Sequence, residues 1–163
     1  MLTPIRIAVD AMGGDNSPEK VIRGISLHSK KKEEILYNIF GDSGKISEFI
    51  KKYPIKKNYK LFDTKEIISN EDTALSAAKK GKNTSMWKAI NSVKCKESDV
   101  VVSAGNTGAL FVIAKLNIPM IENIDKPALS ALWPNKIGMN VVLDLGANIE
   151  CNEKNLIDFS LMG

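Results

Sequence analysis

The stretch that decides the fold is Asp10-Ala11-Met12-Gly13-Gly14-Asp15, entered directly from the apolar run of residues 5–9 and closed by Pro18. A buried parallel strand that ends in an aspartate and two adjacent glycines opens into a ligand-binding turn, because glycine lets the backbone come close to a bound group. The same order recurs at Val100-Val101-Val102-Ser103-Ala104-Gly105-Asn106-Thr107-Gly108 and at Val141-Val142-Leu143-Asp144-Leu145-Gly146-Ala147-Asn148. Three such lips on one parallel sheet are expected side by side at its carboxyl edge, where open α/β sheets bind ligands.

Outward from the first lip, Ser17-Pro18-Glu19 reads as an N-cap, a proline at the first helical position and an acid in the first turn of a helix running to about His28. A second strand is expected at residues 35–40, then a helix at 45–52 stopped by Tyr53-Pro54, and a third strand at 59–62. Helices follow at 73–80 and 85–94, broken at 81–83, with Ser85 as the cap of the second. A strand at 100–102 leads into a helix at 107–116; strands at 128–132 and 139–145 and a helix from Glu153 complete the chain. Strands alternating with helices imply an α/β fold whose mainly parallel sheet is covered on both faces. The link 133–138 is too short for a helical crossover, which leaves an antiparallel pairing or a bend open there. The helical pattern of residues 156–162 stops at Gly163 with no strand after it. It reads as cut rather than finished; a glycine C-cap is the other reading.

With 163 residues, 44% hydrophobic and 26% charged, one domain with a real core is expected. The net charge of +4 is carried by lysine, since Arg6 and Arg23 are the only arginines. No basic motif interleaved with aromatics occurs, so a nucleic-acid partner is not indicated. Cys95 and Cys151 stand alone without C-x-x-C spacing, which fits a reducing cytosol. No signal-peptide core opens the chain, and its longest apolar stretch, 109–114, falls far short of the roughly 20 residues a membrane span needs. A cytoplasmic protein is expected.

Gly105-Asn106-Thr107-Gly108 has the makings of a phosphate cradle: backbone N–H groups at a helix N-terminus converge on one spot at the positive end of the dipole, and Thr107 adds a hydroxyl. A tight strand-to-helix turn without a ligand is the competing reading. The dinucleotide fingerprint fails because Ser103 stands where it needs glycine, and no Walker motif occurs, so phosphate is favoured over a nucleotide. Asp10, Asp15 and Asp144 at strand ends can brace loops, hold a cation, or act as acid or base. His28 is assigned to surface or packing, and no nucleophile constellation is present. Between residues 73 and 96 there is no acid but six lysines, at 79, 80, 82, 88, 94 and 96. Around Lys82 and Ser85 that segment suits an anionic substrate, the acidic surface of a carrier protein, or simple solvation.

Taken together, residues 9–15 with Pro18, Thr84-Ser85-Met86, residues 103–110, Pro127-Ala128-Leu129 and residues 143–148 with Cys151 resemble the bacterial acyl-[acyl-carrier-protein]:phosphate acyltransferase family, PlsX. The resemblance runs along the whole chain but corresponds to the N-terminal half of a typical member. It implies a three-layer fold similar to phosphotransacetylases and isocitrate-dehydrogenase-like enzymes. It also implies transfer of a fatty acyl group from acyl-carrier protein to inorganic phosphate for phospholipid synthesis; no cofactor is assigned, no metal-binding residue is assigned, and the metal requirement is left open. Members are homodimeric cytoplasmic enzymes with peripheral membrane association. Carried onto this sequence, the catalytic candidates are Asn106, Asp10 and Asp144. The phosphate- or substrate-binding candidates are Gly13, Gly14, Asp15, Lys82, Ser85, Ser103, Gly105, Thr107 and Asn148. Two positions depart from the family pattern: Lys126 replaces the usual arginine before Pro127, and residues 73–80 lack the usual proline and arginine. The alternatives are a non-catalytic truncated domain that binds phosphate or a partner chain, and a phosphotransacetylase-like enzyme using acyl-CoA.

Overall fold

Strand β1 (Arg6–Asp10) lies inside a four-stranded sheet, between β2 (Leu36–Gly41) and β4 (Val100–Ser103), with β3 (Tyr59–Asp63) beyond β2. The computed structural model describes residues 4–32, 34–56 and 58–163. All three pairings in this sheet are parallel, so every strand points its carboxyl end to the same edge. A fork from Arg6 to Asp99, with contacts of 2.7 and 3.2 Å, ties the starts of β1 and β4 together.

Alternation along the strands separates two layers. Ile7 and Val9 on β1, with Tyr37 and Ile39 on β2, meet α1 (Glu19–Ser29) and α2 (Ser43–Lys52) around Ile22, Ile25 and Ile46. Each fully buried isoleucine here, Ile22, Ile39 and Ile46, stabilises the fold by about 1.5–3 kcal/mol. On the other face, Ala8 and Phe40 pack with Ala89 of α4 (Ser85–Lys94). That helix in turn packs with α3 (Ala74–Lys80) and α5 (Thr107–Asn117) through Met86, Ile90, Ala77, Ala109 and Ile113. The expected parallel α/β sheet with helices on both faces is therefore what the described residues between 4 and 118 build.

Two caps differ from expectation. Ser17 is not the cap of α1: its hydroxyl donates to the Gly13 carbonyl at 2.6 Å and closes the first lip, while Pro18 takes the cap position without a side-chain bond. At α4 the cap is Thr84, whose Oγ1 accepts from Trp87 N, and Ser85 becomes the first helical residue.

The chain divides into two compact units, residues Met1–Ile118 and Pro119–Gly163. In the second, β5 (Ala131–Asn135) pairs antiparallel with β6 (Gly138–Val142), and α6 (Glu153–Met162) follows. The antiparallel alternative left open by the short link is the one that forms. Consequently the third lip does not sit on the parallel sheet as expected. Strand β6 ends at Val142 and pairs with β5 alone, so residues 143–148 leave a hairpin.

Candidate functional site

The two lips that do share the parallel sheet follow adjacent strands, with Asp10 directly opposite Ser103 in register. Asp10 is 1% exposed. Its Oδ2 accepts the Ser103 hydroxyl at 2.7 Å and its Oδ1 the Met12 amide at 3.3 Å. Ser103 Oγ accepts the Gly105 amide at 3.1 Å, so one buried carboxylate sets the course of both turns.

Glycine at 13, 14 and 105 is a packing requirement. A Cβ on Gly13 would lie 2.7 Å from Asp10 Oδ2 and 2.8 Å from Gly105 N. Gly14 has φ +80°, and a Cβ there would collide with the Ala104 carbonyl oxygen. A Cβ on Gly105 would lie 2.9 Å from the Met86 methyl, which brings the start of α4 against the second lip. The backbones of the two turns are thus in direct contact.

Asn106 caps α5: its Oδ1 accepts from Ala109 N at 3.0 Å, and its φ of −59° shows that no left-handed conformation is used. Its Nδ2 donates to the carbonyls of Asn70 and Asp72, at 3.2 and 2.8 Å. Asp15 accepts from Asn70 Nδ2 at 2.9 Å. Both lips therefore hold the loop of residues 69–73, a third wall that sequence reading missed. No local pattern marks it, because its contacts span 34 to 55 residues. Asp72 organises this loop. The Lys80 ammonium at 2.5 Å, then the Ser69 amide, with the hydroxyls of Ser69 and Ser76, hold its carboxyl far below the usual carboxylate range.

The amides of Thr107 and Gly108 begin α5 with no acceptor among the described residues, as expected of a helix's first turn, and both residues are exposed. Lys20 was also missed: its Nζ stands 3.0 Å from the position a Gly14 Cβ would occupy, and it has no ion-pair partner among the described residues. The signal was available, since Lys20 falls in the first turn of α1, just past the lip. Exposed donors and a free ammonium beside a turn without side chains suit a small anion.

Lys82 is exposed in the turn before α4, and Ser85 is 2% exposed with its amide on the Glu66 carbonyl. His28 joins Tyr37 by a 2.7 Å bond on the far part of α1.

In the second unit, Asp144 braces its own turn. It accepts from Leu129 N at 2.7 Å and from Asn148 N at 2.7 Å and Nδ2 at 3.1 Å, while Asn148 also donates to Pro127 O. Burial alone would raise the Asp144 carboxyl, but the amides of Asn148, Leu129 and Ala147 with the Asn148 side chain outweigh it, leaving the pKa below the ordinary range. Asp144 and Asn148 line a cavity of about 560 Å³ that also includes Gly146, Cys151 and Phe159. Among the described residues no group of three His, Cys, Asp or Glu side chains is arranged to hold a metal, and no helix is long and apolar enough to cross a membrane.

Fold and site define a parallel α/β protein with a glycine-lined rim where two turns meet at the carboxyl edge of its sheet. The chain belongs to the family described as fatty acid synthesis protein, whose model matches residues 5–163. It is 64% identical over 98% of its length to the phosphate acyltransferase of Pelagibacter ubique (strain HTCC1062), covering 47% of that protein. Phosphate acyltransferases of Parvibaculum lavamentivorans and Xanthobacter autotrophicus are 42% and 39% identical over the whole chain, which covers 46% of each. The chain spans about half the length of the curated relatives it matches.

Proposed function

We propose that this chain contributes the phosphate-binding rim of an enzyme that moves a fatty acyl group from acyl-carrier protein to inorganic phosphate, giving acyl phosphate for phospholipid synthesis. The observation that carries the reading is the backbone contact of the two lips, Gly13 against Gly105, with Thr107, Gly108 and Lys20 exposed at their margins. The names and similarity of the relatives supply the reaction class.

In this reading an oxygen of hydrogen phosphate attacks the thioester carbonyl, a tetrahedral oxyanion forms, and the C–S bond breaks. The proton of hydrogen phosphate passes to the departing thiolate, so acyl phosphate and free thiol result. No protein nucleophile is needed; the catalytic work is holding phosphate in line and stabilising the oxyanion. Lys20, Thr107 and Gly108 hold phosphate. Asp10, Ser103 and Asn106 position the donors, and Asp15 keeps the 69–73 wall in place. Lys82 and the neighbouring lysines meet the acidic carrier protein, with Ser85 at the base of that surface. Asp144 and Asn148 shape the rim of the second unit. The active form is a cytoplasmic homodimer.

The test is phosphate-dependent release of free thiol from acyl-carrier protein, with acyl phosphate trapped by hydroxylamine, using this chain combined with the remaining half of the Pelagibacter ubique relative. Turnover that requires both phosphate and the carrier protein supports the reading. Turnover with acyl-CoA alone moves it to a phosphotransacetylase-like reaction, and no turnover in a formed complex rejects it.

A further inference from the structure

Gly24 sits in the middle of α1, where glycine lowers helix stability relative to alanine. Packing within the chain does not require it, since a Cβ there would meet nothing within 4 Å. The space it leaves free belongs to a trough of about 480 Å³ between α1 and the sheet, walled by Ile7, Val9, Val21, Ile25 and Val102. That volume is in the range of small-molecule sites, and the walls are aliphatic. The two ends of the trough are polar and unlike each other. Lys20, Asp10 and Ala104 line the end at the carboxyl edge of the sheet, and the same three residues border the two lips. At the far end, His28 Nδ1 and the Tyr37 hydroxyl meet at 2.7 Å. From Lys20 to His28 the helix rises ~12 Å.

We infer that this trough holds the acyl chain of the substrate, with the reacting carbonyl at the Lys20 end and the methyl terminus directed toward His28 and Tyr37. The inference rests on the phosphate-rim reading and extends it from the head of the ligand to its tail. A ligand with an anionic head and an apolar tail matches a channel with a cation at its rim and aliphatic walls below, and Gly24 keeps that channel clear. Each buried methylene adds to binding, so affinity should rise with chain length until the tail reaches His28 and Tyr37.

The test uses the 163-residue chain with lauryl phosphate below its micelle concentration, compared with octyl phosphate and inorganic phosphate, and reads methyl resonances. Lauryl phosphate should shift the methyls of Ile7, Val9, Ile25 and Val102 and bind about tenfold or more tightly than octyl phosphate. Gly24→Leu fills the trough from a position where a side chain clashes with nothing. It should weaken lauryl phosphate by about tenfold or more, leave thermal stabilisation by inorganic phosphate unchanged, and not lower the unfolding midpoint. The inference is overturned if Gly24→Leu binds lauryl phosphate as the parent does. Equal shifts at Leu132 and Val141, which are exposed on the β5–β6 hairpin, would show indiscriminate apolar binding and overturn it as well. So would loss of the lauryl phosphate response once the remaining half of the Pelagibacter ubique relative is bound, because the trough would then be a protein contact. Absence of stabilisation by inorganic phosphate in the parent chain rejects the rim and this inference with it. Stabilisation by phosphate with unmoved trough methyls rejects this inference alone.

Discussion

The Ser103 hydroxyl donates to the buried Asp10 carboxylate at 2.7 Å, joining two turns that lie 93 residues apart in sequence. The bond makes the pair a unit, because Ser103 in turn accepts the Gly105 amide at 3.1 Å. Asp10→Ala strands the Ser103 hydroxyl and the Met12 amide, and should cost about 1–3 kcal/mol in urea unfolding. With Ser103→Ala the two losses should be less than additive, since each removes the same contact. Full additivity in the double variant would break the claim that they act together.

Gly14 and Gly24 should respond in opposite directions to alanine. At Gly14 the φ of +80° and the Ala104 carbonyl leave no room for a methyl, whereas a Cβ on Gly24, inside α1, meets nothing within 4 Å. Gly24→Ala should stabilise by about 0.5–1 kcal/mol through helix propensity, and Gly14→Ala should destabilise by more than that. Thermal unfolding of the two variants side by side decides it.

Asn106→Ala removes the α5 cap and the two donors that hold residues 70 and 72. A stability loss of about 1 kcal/mol is expected from the cap. Hydrogen exchange should accelerate in residues 69–73 as well as at Ala109; acceleration at Ala109 alone would mean the loop is held by something else.

Asp72 makes the third wall sensitive to acid. Its pKa is depressed in the folded state, chiefly by Lys80 and the Ser69 amide. Its stabilisation is therefore full above the ordinary carboxylate pKa of ~3.9 and shrinks as pH falls from there toward the depressed folded value. Stability of the parent and of Asp72→Asn should accordingly differ most near neutral pH and converge below pH ~4. A gap that stays constant through acidification would contradict this origin.

Inorganic phosphate should raise the unfolding temperature of the chain with the logarithm of its concentration, as a ligand of the native state must. Lys20→Met should weaken that effect about tenfold in apparent affinity, equivalent to about 1.4 kcal/mol. Equal stabilisation of both proteins by phosphate, or equal stabilisation by chloride, would remove Lys20 from the rim.

Local chemistry along the chain was enough to place the strands of the parallel sheet and most helices, because strands buried on both faces must be continuous apolar runs and their exits must be small and polar. Residues 5–15 and 100–108 show this directly. The identity of Asp10, Gly13, Gly14 and Gly105 as residues of the lips was legible for the same reason. Tertiary structure alone decided which lips share a sheet, since strand partners are chosen by packing and pairing over the whole fold. The strand Gly138–Val142 paired with a hairpin neighbour, not with β4. It alone brought Asn70 and Asp72 to Asn106, and set Lys20 over Gly14. Such meetings depend on where distant backbone segments end up in space, and no period or spacing within either segment encodes them.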